Sequence, residues 1–305
     1  MTTLAFILLC VACRGEAPDK STGFDGAAAY GYAGVQVGFG PRVPGTPAAK
    51  AAGDWIVAEM RKRADQVVVQ AFDYKDAKGK IVPMRNILAR FRPELKDRIL
   101  YVTHWDSRPT STGRCCSPEA QTEVERNVPV PGANDGASGV GMFIALGDLL
   151  KKNKPAVGVD LLFTDGEDYG VFGPPPVDVL IGAQYFADHP PQADYHPLFG
   201  VLWDMIGDKD LRIPQEGNSI NSAPEVVQRV WDLAAELGHS DVFVPENGGG
   251  IDDDHTPLLR AGYRIIDVID LNYKPHHTPE DTMDKISAKS LGIVGDVAAA
   301  LIARQ

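Results

Sequence analysis

Val157-Gly-Val-Asp-Leu-Leu-Phe163, followed at once by Thr-Asp-Gly-Glu-Asp168, is the stretch on which the fold turns. An apolar run of this length reads as a strand buried on both faces, as in the middle of a parallel sheet covered by helices. It ends abruptly in acids. Glu167 and Asp168 repel each other at the end of such a strand, and a cation or a shared proton must compensate them. Adjacent residues point different ways, so one can hold a metal while the other faces substrate as a proton acceptor.

Four other segments fit the same picture. Val102-Thr-His104-Trp-Asp106 and Leu202-Trp-Asp204-Met-Ile-Gly carry an imidazole or a carboxylate at the end of an apolar run. Gly132-Ala-Asn-Asp135-Gly places a carboxylate where small residues let the backbone turn sharply into a helix. Pro275-His-His277-Thr-Pro lies in a loop after a strand ending near Asp270. Singly, each has a plainer reading as a helix cap, a backbone hydrogen bond or a solvated acid. Together they describe one site beyond the carboxyl ends of strands, where open α/β sheets bind ligands. The groups on offer are imidazole and carboxylate without a nearby thiolate, a set that suits zinc of the catalytic type. His104 and Asp106 share a face of an extended segment, so Asp106 can fix the tautomer of a metal-bound His104. Asp252-Asp-Asp-His255 adds a dense acidic cluster at a helix start. Part of it is capping, and at least one of its residues is expected in the cleft. Adjacent histidines do not easily bind one metal together. His277 is therefore expected as the ligand and His276 as a wall.

Outward from these segments, Thr46 caps a helix predicted from Pro47 to about Ala64. Strands are predicted at Val67–Tyr74, Asn86–Phe91 and Arg98–His104, the first two joined as a hairpin across Lys75 to Lys80. The long polar stretch from Ser107 to Val130 reads as a functional loop. Helices over Gly136–Lys152, Val179–Asp188, Pro224–Leu237, Asp254–Ala261 and Ser287–Ala303 alternate with strands at Phe199–Ile206 and Tyr263–Ile269. Residues 29–47 are rich in Gly and Pro, and no helix or strand is predicted there. The alternation predicts a single-domain α/β fold with a mixed, mostly parallel central sheet and helices on both faces.

The chain has 305 residues, 44% of them hydrophobic, which is ample for one large core, and a formal charge of -11. That balance argues against nucleic acid and against an anionic membrane surface as partners. The four cysteines, Cys10, Cys13, Cys115 and Cys116, lack zinc-finger spacing, and a bridge between the adjacent pair would strain the backbone. The apolar run from Leu4 to Cys13 is too short to span a bilayer and looks like a bacterial lipoprotein signal cleaved before Cys13. The organisation expected is a signal peptide over 1–12, lipid on Cys13, a linker over 13–28 and a catalytic domain over 29–305. The protein is then exported, periplasmic or anchored to the outer membrane. It would be a monomer that meets the membrane only through that lipid.

Taken in order, the segments resemble the zinc-dependent M28 metallopeptidase superfamily, and within it the bacterial glutaminyl cyclases of the animal type. The resemblance runs from about Phe39 to the C-terminus. It is carried by Phe39-Gly-Pro-Arg-Val-Pro-Gly-Thr, Thr103-His-Trp-Asp-Ser-Arg-Pro, Gly132-Ala-Asn-Asp-Gly-Ala-Ser-Gly-Val-Gly, Asp165-Gly-Glu-Asp-Tyr-Gly and Ile251-Asp-Asp-Asp-His. It implies a zinc aminopeptidase-like fold, with Asp135, Asp168 and His277 as zinc ligands and Glu167 as general acid/base. Asp204 and Asp253 would form a hydrogen-bonded acidic pair beside Glu167. In the aminopeptidase branch of the resemblance His104 and Asp204 bind a second zinc and Asp135 bridges. The Asp-Asp-Asp-His segment leans toward the cyclases. Where those carry tryptophan before the last zinc ligand and in the loop after the acid pair, this chain has His276 and Phe172; these two and Trp105 are the expected pocket walls.

The resemblance thus implies one Zn2+ and cyclisation of an N-terminal glutamine, or two Zn2+ and aminopeptidase hydrolysis. Peptides or proteins with a free N-terminus are the substrates in either case. A non-catalytic metal-binding domain is the third possibility, and the intact Glu167 argues against it.

Overall fold

A computed structural model describes residues 22–112 and 127–305. The signal-like segment, Cys13 and the Cys115-Cys116 pair lie outside the described residues. No helix among the described residues is long and apolar enough to cross a membrane.

The fold is built on the run that opens with Val157. Strands β3 (Arg98–His104) and β4 (Gly158–Thr164) are buried at every residue and pair in parallel. They form the centre of a six-stranded sheet that also holds β1 (Gln66–Lys75), β2 (Ile81–Phe91), β5 (Gly200–Asp204) and β8 (Ile265–Ile269). The strand order is β1-β2-β4-β3-β5-β8. β1 and β2 form the predicted hairpin, and β2 meets β4 antiparallel, while β3, β4, β5 and β8 run parallel. Side chains alternate between two cores. Tyr101, Leu161, Phe163, Val201 and Trp203 face one side, and Leu100, Val102, Leu162 and Leu202 the other. Helices α1 (Gly26–Val37), α2 (Pro47–Arg61), α3 (Ala137–Lys152), α6 (Pro224–Leu237) and α8 (Ala288–Ala303) cover the first face. Helices α4 (Ile181–Asp188) and α7 (His255–Arg260) cover the second.

Asp160 is the one acid inside the run that reads as apolar. It accepts hydrogen bonds from Arg98 at 2.6 and 2.7 Å, from Arg90 at 3.0 Å and from the Tyr195 hydroxyl at 2.8 Å. Every one of these groups is buried, so the strand keeps its burial without an unpaired charge.

The structure departs from the sequence reading in several places. The linker does not extend to residue 28: the Thr22 hydroxyl donates to Asp296 at 2.6 Å, Phe24 packs against the core, and α1 begins at Gly26. Helix α1 was not expected, because its Gly- and Ala-rich sequence has no apolar stripe. Small residues serve close packing there instead: a Cβ on Gly141 of α3 would lie 2.3 Å from the Ala29 carbonyl oxygen of α1. β2 begins five residues before the predicted start, at Ile81. Pro83 is tolerated where β2 has a partner on one side only, since β4 pairs no earlier than Ile87. A second, two-stranded parallel sheet of β6 (Ile213–Gln215) and β7 (Phe243–Asn247), and the short helix α5 (Gly217–Ser222), carry no periodicity long enough to predict.

Candidate active site

The carboxyl ends of the four parallel strands gather the expected acids and imidazoles. The chain leaves β3 toward β4 on one side and, after β4, crosses to β5 on the other. β3 and β5 therefore flank the point where strand order reverses, the usual binding crevice of such sheets. His104 ends β3 and Asp204 ends β5, and His104 Nε2 lies 3.3 Å from Asp204 Oδ1. The same Nε2 is 3.0 Å from Asp135 Oδ1. The other oxygen of Asp135 turns away, to 3.5 Å from His277 Nε2. His277 Nε2 is 3.4 Å from Asp168 Oδ1. Asp135 is thus shared between two clusters, one with His104 and Asp204 and one with His277 and Asp168.

Local structure explains these placements. Asp135 precedes Gly136, whose φ of 91° turns the chain into α3; a Cβ there would lie 2.7 Å from the Asp106 carbonyl oxygen and 3.1 Å from His104 Cε1. Asp106 sits 3.3 Å from His104 Nδ1, as its shared face predicts, and also accepts from the backbone N–H of Glu167 and of Asp168, both at 3.2 Å. One carboxylate therefore orients an imidazole and the turn that carries the acid pair. Asp281 holds the turn that carries Asp135. It accepts from the N–H of Asn134 at 2.8 Å, the N–H of Asp135 at 3.1 Å and the Tyr273 hydroxyl at 2.6 Å.

These positions suit zinc. Donor atoms 2.0–2.1 Å from a tetrahedral zinc stand about 3.3 Å apart. The contacts of 3.4 and 3.5 Å around His277 and of 3.0 and 3.3 Å around His104 are close to that spacing. His104 Nε2, Asp135 Oδ2 and Asp168 Oδ2 are buried and make no hydrogen bond among the described residues. Buried polar atoms without a partner are costly, and a cation between them supplies what they lack.

The family model for peptidase family M28 matches residues 86–302. The chain belongs to this family. Among solved structures, a glutaminyl cyclase of Bacteroides thetaiotaomicron is 33% identical with a TM-score of 0.85, covering 92% of this chain and 98% of its own. A zinc-dependent exopeptidase of Parabacteroides distasonis is 32% identical with a TM-score of 0.85, covering 92% and 99%. A Leptosphaeria maculans protein named "Probable zinc metalloprotease" is 34% identical over 275 residues, and the match spans 76% of this chain but 58% of that relative. The zinc metallopeptidase-like fold of the family is therefore shared with both cyclases and exopeptidases.

Within this M28 site the charges are sharply sorted. Burial pushes the Glu167 carboxyl well above its ordinary range; His104 opposes this, while Asp253, Asp168 and Asp254 add to it. Burial likewise raises Asp168 well above its usual value, against the pull of Arg108. Asp135 is held below the carboxylate range: burial opposes its charge, but His104, His277 and His276 outweigh it. Burial, then His276, lowers His277 well below the ordinary imidazole value, against the pull of Asp135. His104 is the reverse case. Burial opposes its charge, yet Asp204, Asp106 and Asp135 raise it well above its usual value.

Asp253 and Asp254 of the acidic cluster are buried and Asp252 is exposed. Asp254, which the sequence did not single out, accepts a short hydrogen bond from the Thr164 hydroxyl at the end of β4. Phe172 stands beside His277, ring centroids 6.4 Å apart and nearly parallel. His276 lies against the same imidazole, centroids 3.7 Å apart. Trp105 is not a pocket wall. It is buried in the main core with its indole N–H donating to the Arg85 carbonyl at 3.2 Å, because it alternates with His104 and Asp106 along the chain.

Two buried arginines brace the site. Arg42 is fully buried and donates to the carbonyls of Pro131 and Gly132, the latter at 2.7 Å, bracing the loop that presents Asp135. Arg108 donates a short hydrogen bond to Asp168, reaches the Gly170 carbonyl at 3.2 Å and Thr112 Oγ1 at 3.1 Å, and lies over Phe172. The available signal was an arginine in an otherwise Gly/Pro-rich stretch and another two residues beyond Asp106.

Proposed function

We propose that this chain is a zinc-dependent glutaminyl-peptide cyclotransferase, converting an N-terminal Gln of peptides or proteins to pyroglutamate with release of ammonia. Two buried acids, Asp204 and Asp253, support this reading, although the hydrogen bond expected between them is not made among the described residues: Asp204 accepts from the Met205 N–H and Asp253 from the Asp254 N–H. Burial pushes the Asp253 carboxyl well above its ordinary range, and the charges of Asp204 and Asp254 push it further. A carboxyl that keeps its proton beside Asp204 and Glu167 can steady a leaving nitrogen, as release of ammonia requires.

The chemistry zinc supplies when held by Asp135, Asp168 and His277 is Lewis-acid polarisation of the γ-carboxamide carbonyl. Glu167 takes a proton from the α-amine as that nitrogen attacks the amide carbon of the same residue. The new ring C–N bond forms, the old amide C–N bond breaks, and Glu167 returns the proton to the departing ammonia. A carboxyl raised toward neutrality can both accept and return a proton. Asp204 and Asp253 hold the nitrogen during the exchange, and no water is consumed.

The two-sided use of Asp135 favours a second reading, a di-zinc aminopeptidase. Its Oδ1 faces His104 and Asp204 while its Oδ2 faces His277, as a bridging carboxylate would. Glu167 is then the base for an attacking water. The test is incubation of zinc-loaded protein with a Gln-initiated peptide, followed by mass spectrometry. Loss of ammonia, about 17 Da, with the chain otherwise intact supports the cyclase. Loss of the whole first residue overturns it in favour of the peptidase.

A further inference from the structure

Neighbouring side chains of an extended chain point apart, which would keep adjacent histidines from one metal. His277 breaks that alternation. Its φ of 57° lies in the left-handed region, which is unfavourable for a residue other than glycine and persists where surrounding contacts support it. The contacts are present: the His277 carbonyl accepts from the Thr112 N–H at 3.1 Å and the Ser111 hydroxyl at 3.2 Å, and the His276 N–H donates to the Tyr273 carbonyl at 3.2 Å. The result is two imidazoles side by side, centroids 3.7 Å apart and tilted by 44°.

Both rings also direct Nε2 at the same atom. Asp135 Oδ2 is 3.5 Å from Nε2 of His277 and 3.9 Å from Nε2 of His276. The donor atoms of Asp135, His276 and His277 all lie within 4.8 Å of one another. Donors of one tetrahedral zinc stand about 3.3 Å apart, and the 3.9 Å from His276 Nε2 to Asp135 Oδ2 exceeds that by about 0.6 Å. Its side chain is 20% exposed, against 12% for His277, so it is the more solvent-exposed of the two.

We propose that His276 is a fourth protein ligand of the resting zinc, beside Asp135, Asp168 and His277. Four protein ligands would close a zinc site that three leave open. The inference rests on the zinc centre proposed above and on neither of its two reactions.

The experiment is proton NMR of the protein loaded with one equivalent of Co2+, compared with H276Q and H276A. Each imidazole bound through Nε2 contributes one strongly shifted, solvent-exchangeable N–H signal. Loss of one such signal in both variants, with zinc bound at least 10-fold more weakly in a chelator competition, is the expected result. An unchanged number of signals in folded H276Q, with zinc affinity within threefold of wild type, overturns the proposal and leaves the metal centre standing. Absence of any shifted imidazole signal in the wild type overturns the metal centre and the proposal together.

Discussion

Replacing Asp106 by Asn probes the residue on which the ligand geometry converges. The Asp106 carboxylate meets three groups: Oδ1 accepts from the Glu167 N–H and lies 3.3 Å from His104 Nδ1, and Oδ2 accepts from the Asp168 N–H. An asparagine offers one oxygen and one NH2 in the same space. If the oxygen takes the place of Oδ1, the NH2 confronts the Asp168 N–H, donor against donor. If the amide flips, the conflict moves to Glu167 and His104. Either way at least one hydrogen bond to a charged, buried acceptor is lost, at a cost of about 1.5–3 kcal/mol. The loss falls on the turn that carries Asp168 or on the orientation of His104. Outer-shell partners of metal ligands typically change affinity by roughly 10–100-fold, or about 1.4–2.8 kcal/mol, the same range reached independently. The assays are competition for zinc against a chromophoric chelator and urea unfolding of the zinc-free protein. We expect zinc affinity to fall within that range and zinc-free stability to fall by about 1.5–3 kcal/mol. Zinc affinity within threefold of wild type, alongside a full loss of stability, would refute the assignment. Asp106 would then support the fold without setting the ligands.

Glu167→Gln should lower turnover of whichever substrate is accepted by roughly 10²–10⁴-fold while zinc content is unchanged, and residual turnover above a tenth of wild type would remove Glu167 as the proton carrier. Asp160→Ala leaves Arg90 and Arg98 buried without their anion, and urea unfolding should show a loss of about 3–5 kcal/mol; a loss below about 1 kcal/mol would mean solvent reaches the arginines. Burial raises Asp254 and Asp281 from 3.8 to about 7. In the zinc-free protein the folded chain then holds protons that the unfolded chain has already released. This stabilisation is present below about pH 4 and is lost as pH rises to about 7, by up to about 1.4 kcal/mol per pH unit for each group. Urea midpoints at pH 5 and pH 7 should show it. The slope should shrink in Asp281→Asn, and an unchanged slope in that variant would count against the assignment.

The parts of this molecule that a sequence discloses are those whose cause is local. Arg98–His104 and Pro224–Leu237 end where the pattern places them, because an apolar run or an amphipathic period stops there. His104, Glu167, Asp168 and Asp204 were legible for a related reason: a polar group at the end of a buried strand needs an explanation wherever the strand lies. Asp281 and Arg42 were not given roles, because nothing near them in the chain announces what they hold. Asp281 serves the N–H groups of residues 146 and 147 positions earlier, and Arg42 a carbonyl 90 positions later. The rule of alternation bears on two residues with opposite results. At His104-Trp105-Asp106 it holds, and applied fully it sends Trp105 to the core once His104 and Asp106 are assigned to the site. At His276-His277 it does not hold, because the left-handed torsion of His277 turns the chain. No glycine marks that torsion in the sequence. It belongs to a local turn in which the Thr278 N–H donates to the Pro275 carbonyl at 3.0 Å, and Thr112 and Ser111, more than 160 residues away along the chain, hold the His277 carbonyl. Alternation therefore fails where a turn puts the backbone in a conformation that a histidine rarely adopts.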